Sequence, residues 1–385
     1  MPRLLAALCD DERKAVTGPG ASRLAPCDDT PIGEEGLGFD SLARLGLVAR
    51  LNRVFGLAET GIEDYLLLEP TFGGWVRLIG THFCKCGEAS AITFSTSGTT
   101  RAPRDITWNL TDLATEARAH GAHFFPDEAA AGRVLSAVPP FHIYGFLFGV
   151  LLPGIAGREV VDLSALGPGA AARLALQGDL VVGTPTTWHA AFASGGIFED
   201  GVTGVTAGAA AAKEIWWGAA RARLDRLDEV YGATESGGVG LRSGADRPFR
   251  LLPHLVRKGD GVHLREASGG ALPLQDSLEW TTPTAFRLAG RIDGAVQVGG
   301  VNVWPDAVAA WLEEQPGVAA ASVRAEGGRL KAFVIPKAPD RETGTLAAQL
   351  RHAMADALTA PERPVSLTFG SELPLSVMGK PVDWA

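Results

Sequence analysis

The residues Ser-Thr-Ser-Gly-Thr-Thr-Arg-Ala-Pro-Arg, numbers 95–104, directly follow the apolar run Ala91–Phe94. The apolar run predicts a strand, and the hydroxyl-rich segment with its glycine predicts a loop at the end of that strand. Backbone N–H groups and short hydroxyls in such a loop can approach phosphate oxygens that larger side chains would block. Arg104 adds a guanidinium with the fork geometry that binds phosphate. The segment lacks the GxxxxGK[ST] pattern of P-loop proteins, so it predicts a phosphate site of another type.

Four further segments follow this loop in order. Tyr-Gly-Ala-Thr-Glu occupies 231–235, and Asp276 stands fourteen positions before Gly-Arg-Ile-Asp at 290–293. Two glycines at 299–300 separate short apolar runs, and Leu-Pro-Leu-Ser-Val-Met-Gly-Lys occupies 373–380. Each segment taken alone is equally consistent with a solvated turn or a helix cap. Their shared order along one chain is the stronger signal.

Together the five segments resemble the motifs of the adenylate-forming superfamily, which includes acyl- and aryl-CoA ligases and peptide-synthetase adenylation domains. The resemblance covers 89–385 and implies an α/β fold. It implies a large adenylation domain at 86–291, with mixed sheets flanked by helices, and a small mobile α+β domain at 292–385. A helical segment at 1–85 precedes them. The chain departs from the family pattern at four positions, which are Arg101, Arg104, Gln297 and Asn302.

The resemblance implies how ATP and Mg²⁺ are bound. Tyr231 would stack near the adenine, Thr234 would contact the α-phosphate, and Glu235 would help to hold Mg²⁺, a hard cation that prefers oxygen ligands. Asp276 would bind the ribose hydroxyls, although its flanking residues are unusual and the assignment depends on spacing. The full ATP-binding set is Thr96, Ser97, Gly98, Thr99, Thr100, Arg104, Tyr231, Gly232, Thr234, Asp276 and Arg291.

The resemblance also implies a two-step reaction. Lys380 would be catalytic in adenylation, because a cation between the attacking carboxylate and the α-phosphate offsets charge in the transition state. Asp293 would be the hinge about which the small domain turns. Gly299 and Gly300 would then face the thiol of CoA, or of phosphopantetheine on a carrier protein. A tight turn between two strands is the alternative interpretation of these glycines.

The segment Pro-Pro-Phe-His-Ile-Tyr-Gly at 139–145 resembles the family's acid entrance. His142 is therefore a candidate catalytic residue with Glu235 and Lys380, although a histidine beside aromatics can also be a satisfied core residue. The predicted acid pocket comprises Phe141, Tyr144, Ala207, Gly208 and Ala209. The segment directly before Trp188 has no aspartate that could pair with an amino group, which disfavours amino acids. The chain resembles shortened aryl-acid ligases of the 4-coumarate type, so an aryl acid is favoured.

The N-terminal segment has a different pattern. Gly-Phe-Asp-Ser-Leu at 38–42 is followed by apolar residues at helical spacing and by Gly56, which predicts the end of the helix. This layout resembles an acyl carrier protein, which implies that Ser41 bears phosphopantetheine. Asp40 and Ser41 are equally typical of a helix N-cap. The segment is therefore either a carrier that the enzyme loads itself or a docking and packing element.

Composition excludes several classes. A net charge of −9 without a basic run argues against nucleic acid and anionic membrane surfaces. Four cysteines are too few for a disulfide scaffold, and Cys84-Lys85-Cys86 lacks a second ligand pair for zinc. The most apolar stretch, 141–156, is shorter than the roughly 20 residues of a membrane span. With no signal peptide apparent, we predict a cytoplasmic enzyme; a non-catalytic nucleotide-binding module is the remaining alternative.

Periodicity predicts the secondary structure around these motifs. The predicted strands are 135–138, 180–182 and 229–231, and the predicted helices are 111–120, 141–156, 211–227, 306–315 and 346–358. A hairpin is predicted from 320–323 to 330–335, with its turn at 326–328.

Overall fold

The computed structural model describes residues 1–18, 25–96, 104–127, 131–167, 169–207, 213–259, 261–265, 271–338, 343–373 and 384. The described residues form two compact units. Unit one contains those up to 274 together with 280–287, and unit two contains 275–279 and those from 288 onward.

Helices of unit one surround a large sheet. They are α1 (Pro2–Thr17), α2 (Ser41–Phe55), α3 (Tyr65–Leu68), α4 (Phe72–Cys86), α5 (Leu110–Phe124), α6 (Ile143–Phe146), α7 (Leu152–Ala156), α8 (Ala170–Leu174), α9 (Pro185–Ala193) and α10 (Lys213–Arg221). A π-helical turn, Leu147–Leu151, joins α6 to α7. Short 3₁₀ turns span Leu57–Thr60 and Gly87–Ala89.

The strands of unit one begin with the hairpin β1 (Ala91–Ser95) and β2 (Asp105–Asn109). The remaining strands up to the boundary are β3 (Val134–Ser136), β4 (Val160–Asp162), β5 (Leu180–Gly183), β6 (Thr203–Thr206), β7 (Arg226–Ala233), β8 (Gly237–Arg242), β9 (Phe249–Leu251), β10 (Leu255–Lys258) and β11 (Gly261–Leu264). Strands β12 (Asp276–Thr282) and β13 (Ala285–Arg291) contain residues of both units.

The sheet order positions the predicted site. Strands β4, β3, β5, β6 and β7 are parallel neighbours in that order, and β8 and β9 continue the sheet with antiparallel pairing. The carboxyl ends of parallel strands meet at one edge of a sheet, where α/β proteins bind ligands. The segments that follow β3, β5, β6 and β7 therefore share an edge, and they include 139–144, 184–188, Ala207 and 234–236.

Unit two has its own core. Its elements are the hairpin β14 (Val296–Val298) and β15 (Val301–Val303), the helix α11 (Pro305–Glu313), the strands β16 (Val318–Glu326), β17 (Arg329–Pro336) and β18 (Ser366–Phe369), and the helix α12 (Thr343–Ala357). A 3₁₀ turn spans Ala360–Glu362. Val334 of β17 and Leu346, Leu350 and Met354 of α12 belong to one buried apolar cluster. The α+β character predicted for this part of the chain is therefore confirmed.

Most of the predicted elements are confirmed. The three predicted strands are β3, β5 and β7, and the helices predicted at 111–120, 306–315 and 346–358 are α5, α11 and α12. The predicted hairpin is β16 and β17, and the apolar stretch 141–156 is helical from Ile143 onward. Gly56 ends α2 with φ 66°, a left-handed conformation that favours glycine.

The helix predicted over 211–227 is wrong in its second half. Helix α10 ends at Arg221, and β7 begins at Arg226. Arg223 adopts a left-handed φ of 58°, which ends the helical path. Residues 227–230 are then buried on both sides as a central strand. Apolar Leu224 and Leu227 fit a helical spacing as well as a strand, so periodicity alone could not place the boundary.

Helix length and hydropathy decide whether a helix can cross a bilayer. Among the described residues, none of the helices is long and apolar enough to cross a bilayer.

Candidate active site

The two residues that flank the predicted phosphate loop, Thr96 and Arg104, are hydrogen-bonded to each other and form a closed neck. The Thr96 N–H donates to the Arg104 carbonyl at 2.8 Å, and the Arg104 N–H donates to Thr96 Oγ1 at 3.0 Å. These two bonds continue the β1–β2 pairing by one step, so the loop's two ends are adjacent. Residues 97–103, which include the predicted ligands Ser97, Gly98, Thr99 and Thr100, lie outside the described residues. The Arg104 side chain is exposed beside the neck.

The turn that carries Thr234 and Glu235 is held from two elements. Trp108 of β2 donates its indole N–H to the Thr234 carbonyl at 2.7 Å. Glu116 of α5, which is only 3% exposed, accepts from the Gly238 N–H at 2.9 Å. The residues that follow the phosphate loop thus fix the backbone on both sides of Glu235. This arrangement ties β2, the strand that follows the predicted phosphate loop, to the turn that carries the predicted metal ligand.

Two glycines make this turn possible. Gly237 has φ 64°, and a Cβ there would lie 2.7 Å from a Glu116 carboxylate oxygen. A Cβ at Gly232 would collide with the Gly237 backbone at a register shift between β7 and β8. A side chain at Gly232 would push β7 and β8 apart, and one at Gly237 would displace the Glu116 carboxylate. The predicted Gly232 is therefore required by the close approach of two strands.

Tyr231 belongs to an aromatic cluster in unit one. Its ring centroid lies 5.7 Å from that of Phe249 and 5.9 Å from that of Phe286. The tyrosine remains half-buried. Residues of β9 and β13 thus hold the Tyr231 ring in place, and part of the residue's surface stays accessible to solvent.

The predicted acid-pocket residues lie at the carboxyl edge of the sheet. The Tyr144 hydroxyl donates to the carbonyls of Gly183 and Val205, each at 3.1 Å. Burial raises the pKa of Tyr144 well above its usual value, so the group stays protonated as a donor. Ala207 is buried just after β6, and Phe141 is half-buried. Gly208 and Ala209 lie outside the described residues.

His142 is the residue just before the first turn of α6, and its side chain keeps substantial exposure. Partial burial is the largest influence on this imidazole and lowers its pKa from the ordinary value. The Asp11 carboxylate acts in the opposite direction, and the Arg50 guanidinium lowers the pKa further. A neutral imidazole at neutral pH can accept a hydrogen bond or donate one.

In unit two, the predicted ribose ligand Arg291 and the predicted hinge residue Asp293 form a local ion pair. Arg291 binds Asp293 through two hydrogen bonds of 2.8 and 2.9 Å, and it also donates to Gln275 Oε1 at 3.0 Å. These bonds from Arg291 lower the pKa of Asp293 to about 2. Asp276 is the first residue of β12 and is half-buried. Lys380 lies outside the described residues.

Gly299 and Gly300 form the turn of the β14–β15 hairpin. Their φ values are 58° and 84°, the left-handed region that two-residue hairpin turns require. The tight-turn interpretation is therefore confirmed. Gln297 and Asn302 lie opposite one another on the hairpin, and their side chains are joined by a 2.7 Å hydrogen bond.

In the N-terminal segment a helix begins at Ser41 and ends before Gly56, as its sequence predicted. Ser41 is the first residue of α2 and is exposed, and Asp40 accepts from the Ala43 N–H at 2.8 Å. The capping interpretation of Asp40 is thus confirmed. Modification of Ser41 stays a prediction, as do the domain boundaries at 85 and 291.

Sequence reasoning missed Trp108, Glu116, Asp11 and Arg50. Glu116 could have been found, because it interrupts the buried stripe that Leu113, Ala117 and His120 form on α5. A charged residue on such a stripe needs a buried partner. The indole bond of Trp108 and the contacts of Arg50 join residues far apart in sequence, and no local pattern indicates them.

This geometry defines an α/β protein whose candidate ligand-binding segments lie at the carboxyl ends of parallel strands. A family model described as AMP-binding enzyme matches residues 85–260. The chain is 43% identical over 387 aligned residues to a protein of Rhodobacter capsulatus named 4-coumarate--CoA ligase, covering 99% of both chains. A protein of the same name from Halorhodospira halophila is 39% identical, covering 98% of this chain and 97% of the relative. The chain belongs to the AMP-binding family of adenylate-forming enzymes.

Solved structures support the same fold. O-succinylbenzoate CoA synthetase from Bacillus subtilis aligns with a TM-score of 0.54 at 16% identity, covering 75% of this chain and 67% of that one. An amide bond synthetase from Marinactinospora thermotolerans aligns with a TM-score of 0.52 at 20% identity, with the same coverage of 75% and 67%. At these identities the likeness concerns the fold alone. The predicted family and fold class are confirmed.

Proposed function

We propose that this protein activates an aryl carboxylic acid such as 4-coumarate with ATP and transfers the acyl group to CoA. The observation that carries the proposal is the match along 99% of both chains to a relative named 4-coumarate--CoA ligase. The structure supports it with a candidate nucleotide-binding region, where one hairpin forms the neck of the phosphate loop and the same hairpin and one helix hold the Glu235 turn.

In unit one, Tyr231, Thr96 and Arg104 would contact the nucleotide. Tyr231 offers a ring held by Phe249 and Phe286 as a surface for the adenine. Thr96 and Arg104 stand at the neck of the phosphate loop, where a guanidinium can neutralise phosphate charge. In unit two, Asp276 and Arg291 would bind the ribose. Because Arg291 already pairs with Asp293, ribose binding would share or break that ion pair.

The donor set of the Glu235 turn fits Mg²⁺. A carboxylate and a hydroxyl, from Glu235 and Thr234, are hard oxygen ligands, and Mg²⁺ usually completes its shell with substrate phosphates and water. Among the described residues, no group of three or more His, Cys, Asp or Glu side chains is arranged to hold a metal ion. When bound, Mg²⁺ would neutralise negative charge on the phosphates.

The first reaction joins the acid to the nucleotide. A carboxylate oxygen of the acid attacks the α-phosphorus of ATP, the bond to the β,γ-phosphates breaks, and pyrophosphate leaves. Negative charge builds between two anions, and Lys380 would offset it. His142 would accept or donate a hydrogen bond at the acid entrance, and Phe141 would lie against the ring of the acid.

The second reaction forms the thioester. The sulfur of CoA attacks the acyl carbon, the thiol proton is released, and AMP leaves with the former carboxylate oxygen on its phosphate. In this proposal unit two turns about Asp293 between the steps, which would withdraw Lys380. The β14–β15 turn would then face the thiol, and its open surroundings leave room for the pantetheine arm.

The test combines purified protein, ATP, Mg²⁺, CoA and a panel of aryl and fatty acids, with products identified by mass spectrometry. We expect AMP, pyrophosphate and an acyl-CoA, with 4-coumarate among the best acids. Formation of acyl-CoA from fatty acids alone would overturn the aryl class. Absence of both adenylate and thioester with every acid would overturn the ligase and favour a non-catalytic nucleotide-binding module.

A carrier protein as the thiol acceptor is the second candidate. The exposed position of Ser41 at the start of α2, together with the helix order α1 to α4, favours it. Incubation with CoA and a phosphopantetheinyl transferase should then add one phosphopantetheine to the intact mass, and Ser41→Ala should abolish that addition. An unchanged mass with an active transferase would remove this candidate.

A further inference from the structure

The N-terminal helices reach the predicted acid entrance. Arg50 of α2 places its guanidinium carbon 5.8 Å from the ring centroid of Phe141. The Phe141 ring in turn lies 4.9 Å from that of His142. An unbroken set of contacts thus runs from the N-terminal segment to the two residues that precede α6.

Helix α1 fixes the direction of Arg50. The guanidinium forms ion pairs with Asp11 at 2.7 Å and with Glu12 at 3.1 Å. The side chains of Arg50 and Glu12 are 20% and 25% exposed and that of Asp11 is 45% exposed, so the Glu12 pair is the less screened of the two. A planar guanidinium held by two carboxylates has a fixed orientation against an aromatic ring. The flexible ammonium group of a lysine would not keep that orientation.

The same charges act on His142. Asp11 raises and Arg50 lowers the pKa of this imidazole, against the larger lowering by partial burial. Charges on α1 and α2 are therefore close enough to change the protonation of a residue at the acid entrance.

We propose that Arg50 is a positioning residue for the acid: it holds Phe141 and His142 in place, so that α1 and α2 form one wall of the acid site. The inference rests on the proposed function, because it concerns the acid-binding side of the same reaction. It gives the N-terminal segment a role in substrate binding that needs no modification of Ser41.

The kinetic test compares three variants of the full chain. Arg50→Met keeps the long apolar stem but removes the charge, and Arg50→Lys restores a cation. Arg77→Gln removes one positive charge from the exposed face of α4 and is the control. We expect Arg50→Met to raise KM for the acid about tenfold with KM for ATP nearly unchanged, since only acid positioning is lost. Arg50→Lys should recover part of the loss. Equal changes in both KM values, or none beyond the control, would overturn the proposal.

A second readout does not need catalysis. Histidine NMR titration, with the His142 signal assigned by its loss in His142→Gln, should show a raised pKa in Arg50→Met and a lowered pKa in Asp11→Asn. If wild type activates no acid, the proposed function fails, and this titration still decides whether Arg50 acts on His142. If Arg50→Met does not fold, Asp11→Asn supplies the result. An unmoved His142 pKa in the folded variants would overturn the proposal.

Discussion

The predicted role of Lys380 can be tested by measuring the two half-reactions separately. A single cation that bridges the carboxylate and the α-phosphate acts only while those groups react. We predict that Lys380→Ala lowers the adenylation rate by about a hundredfold or more, as loss of a transition-state charge contact does. Thioester formation from supplied acyl-adenylate and CoA should remain near the wild-type rate. The two half-reactions are measured separately, by pyrophosphate release and by acyl-CoA formation. An equal loss in both would contradict the role.

Asp293 gives a prediction about pH at the same scale. Its pKa is depressed to about 2 by Arg291, below the usual unfolded value of about 3.9. A depressed carboxyl pKa stabilises the folded state above the unfolded pKa, and the contribution is lost as pH falls through the folded pKa. The stability of unit two should therefore decline between about pH 4 and pH 2, and this component should be missing in Asp293→Asn. Denaturant unfolding of both proteins across that range measures it; parallel curves would contradict the ion pair's contribution.

At the scale of elements, β2 and α5 are the supports of the Glu235 turn. Trp108→Phe keeps the aromatic bulk but removes the indole N–H that donates to the Thr234 carbonyl. We predict that KM for MgATP rises about tenfold, because a small displacement of a ligand turn weakens charge contacts steeply. Trp217→Phe on the exposed face of α10 is the matched control. The measurement is ATP-dependent pyrophosphate release at varied Mg²⁺. Indistinguishable values for the two variants would show that the indole bond does not position the turn.

The elements also show what sequence patterns could and could not predict. The strand β1, the turn after β7 and the glycine pair at 299–300 were predictable, since turn residues and strand periodicity are local properties. The end of α10 was not, because Leu224 and Leu227 satisfy both periods and the left-handed Arg223 carries no sequence signal. The supports of the site were not predictable either. Trp108 and Thr234 are 126 positions apart, and only the sheet order brings them together.

At the scale of the whole chain, the N-terminal segment is part of the same compact unit as the large sheet. In α1, the side chains of Leu4, Leu5 and Cys9 are fully buried. Arg3 donates to the Gly149 carbonyl in the π-helical turn at 2.6 Å and pairs with Asp162 of β4 at 3.3 Å. A carrier domain on a linker would have none of these contacts. We infer that α1 and the sheet fold and unfold together.

Arg3→Met tests that coupling. The substitution removes the charge-assisted hydrogen bond to the Gly149 carbonyl and the ion pair with Asp162, which costs about 2 kcal/mol. Arg351→Gln on the exposed face of α12 changes the net charge equally and is the control. We predict that Arg3→Met lowers the urea midpoint for the unfolding of unit one as a whole, read from the fluorescence of its tryptophans. If only helical signal from the N-terminal segment is lost while the tryptophan transition stays in place, the segment is an independent module. That outcome would support the carrier interpretation of Ser41, against which the burial of α1 argues.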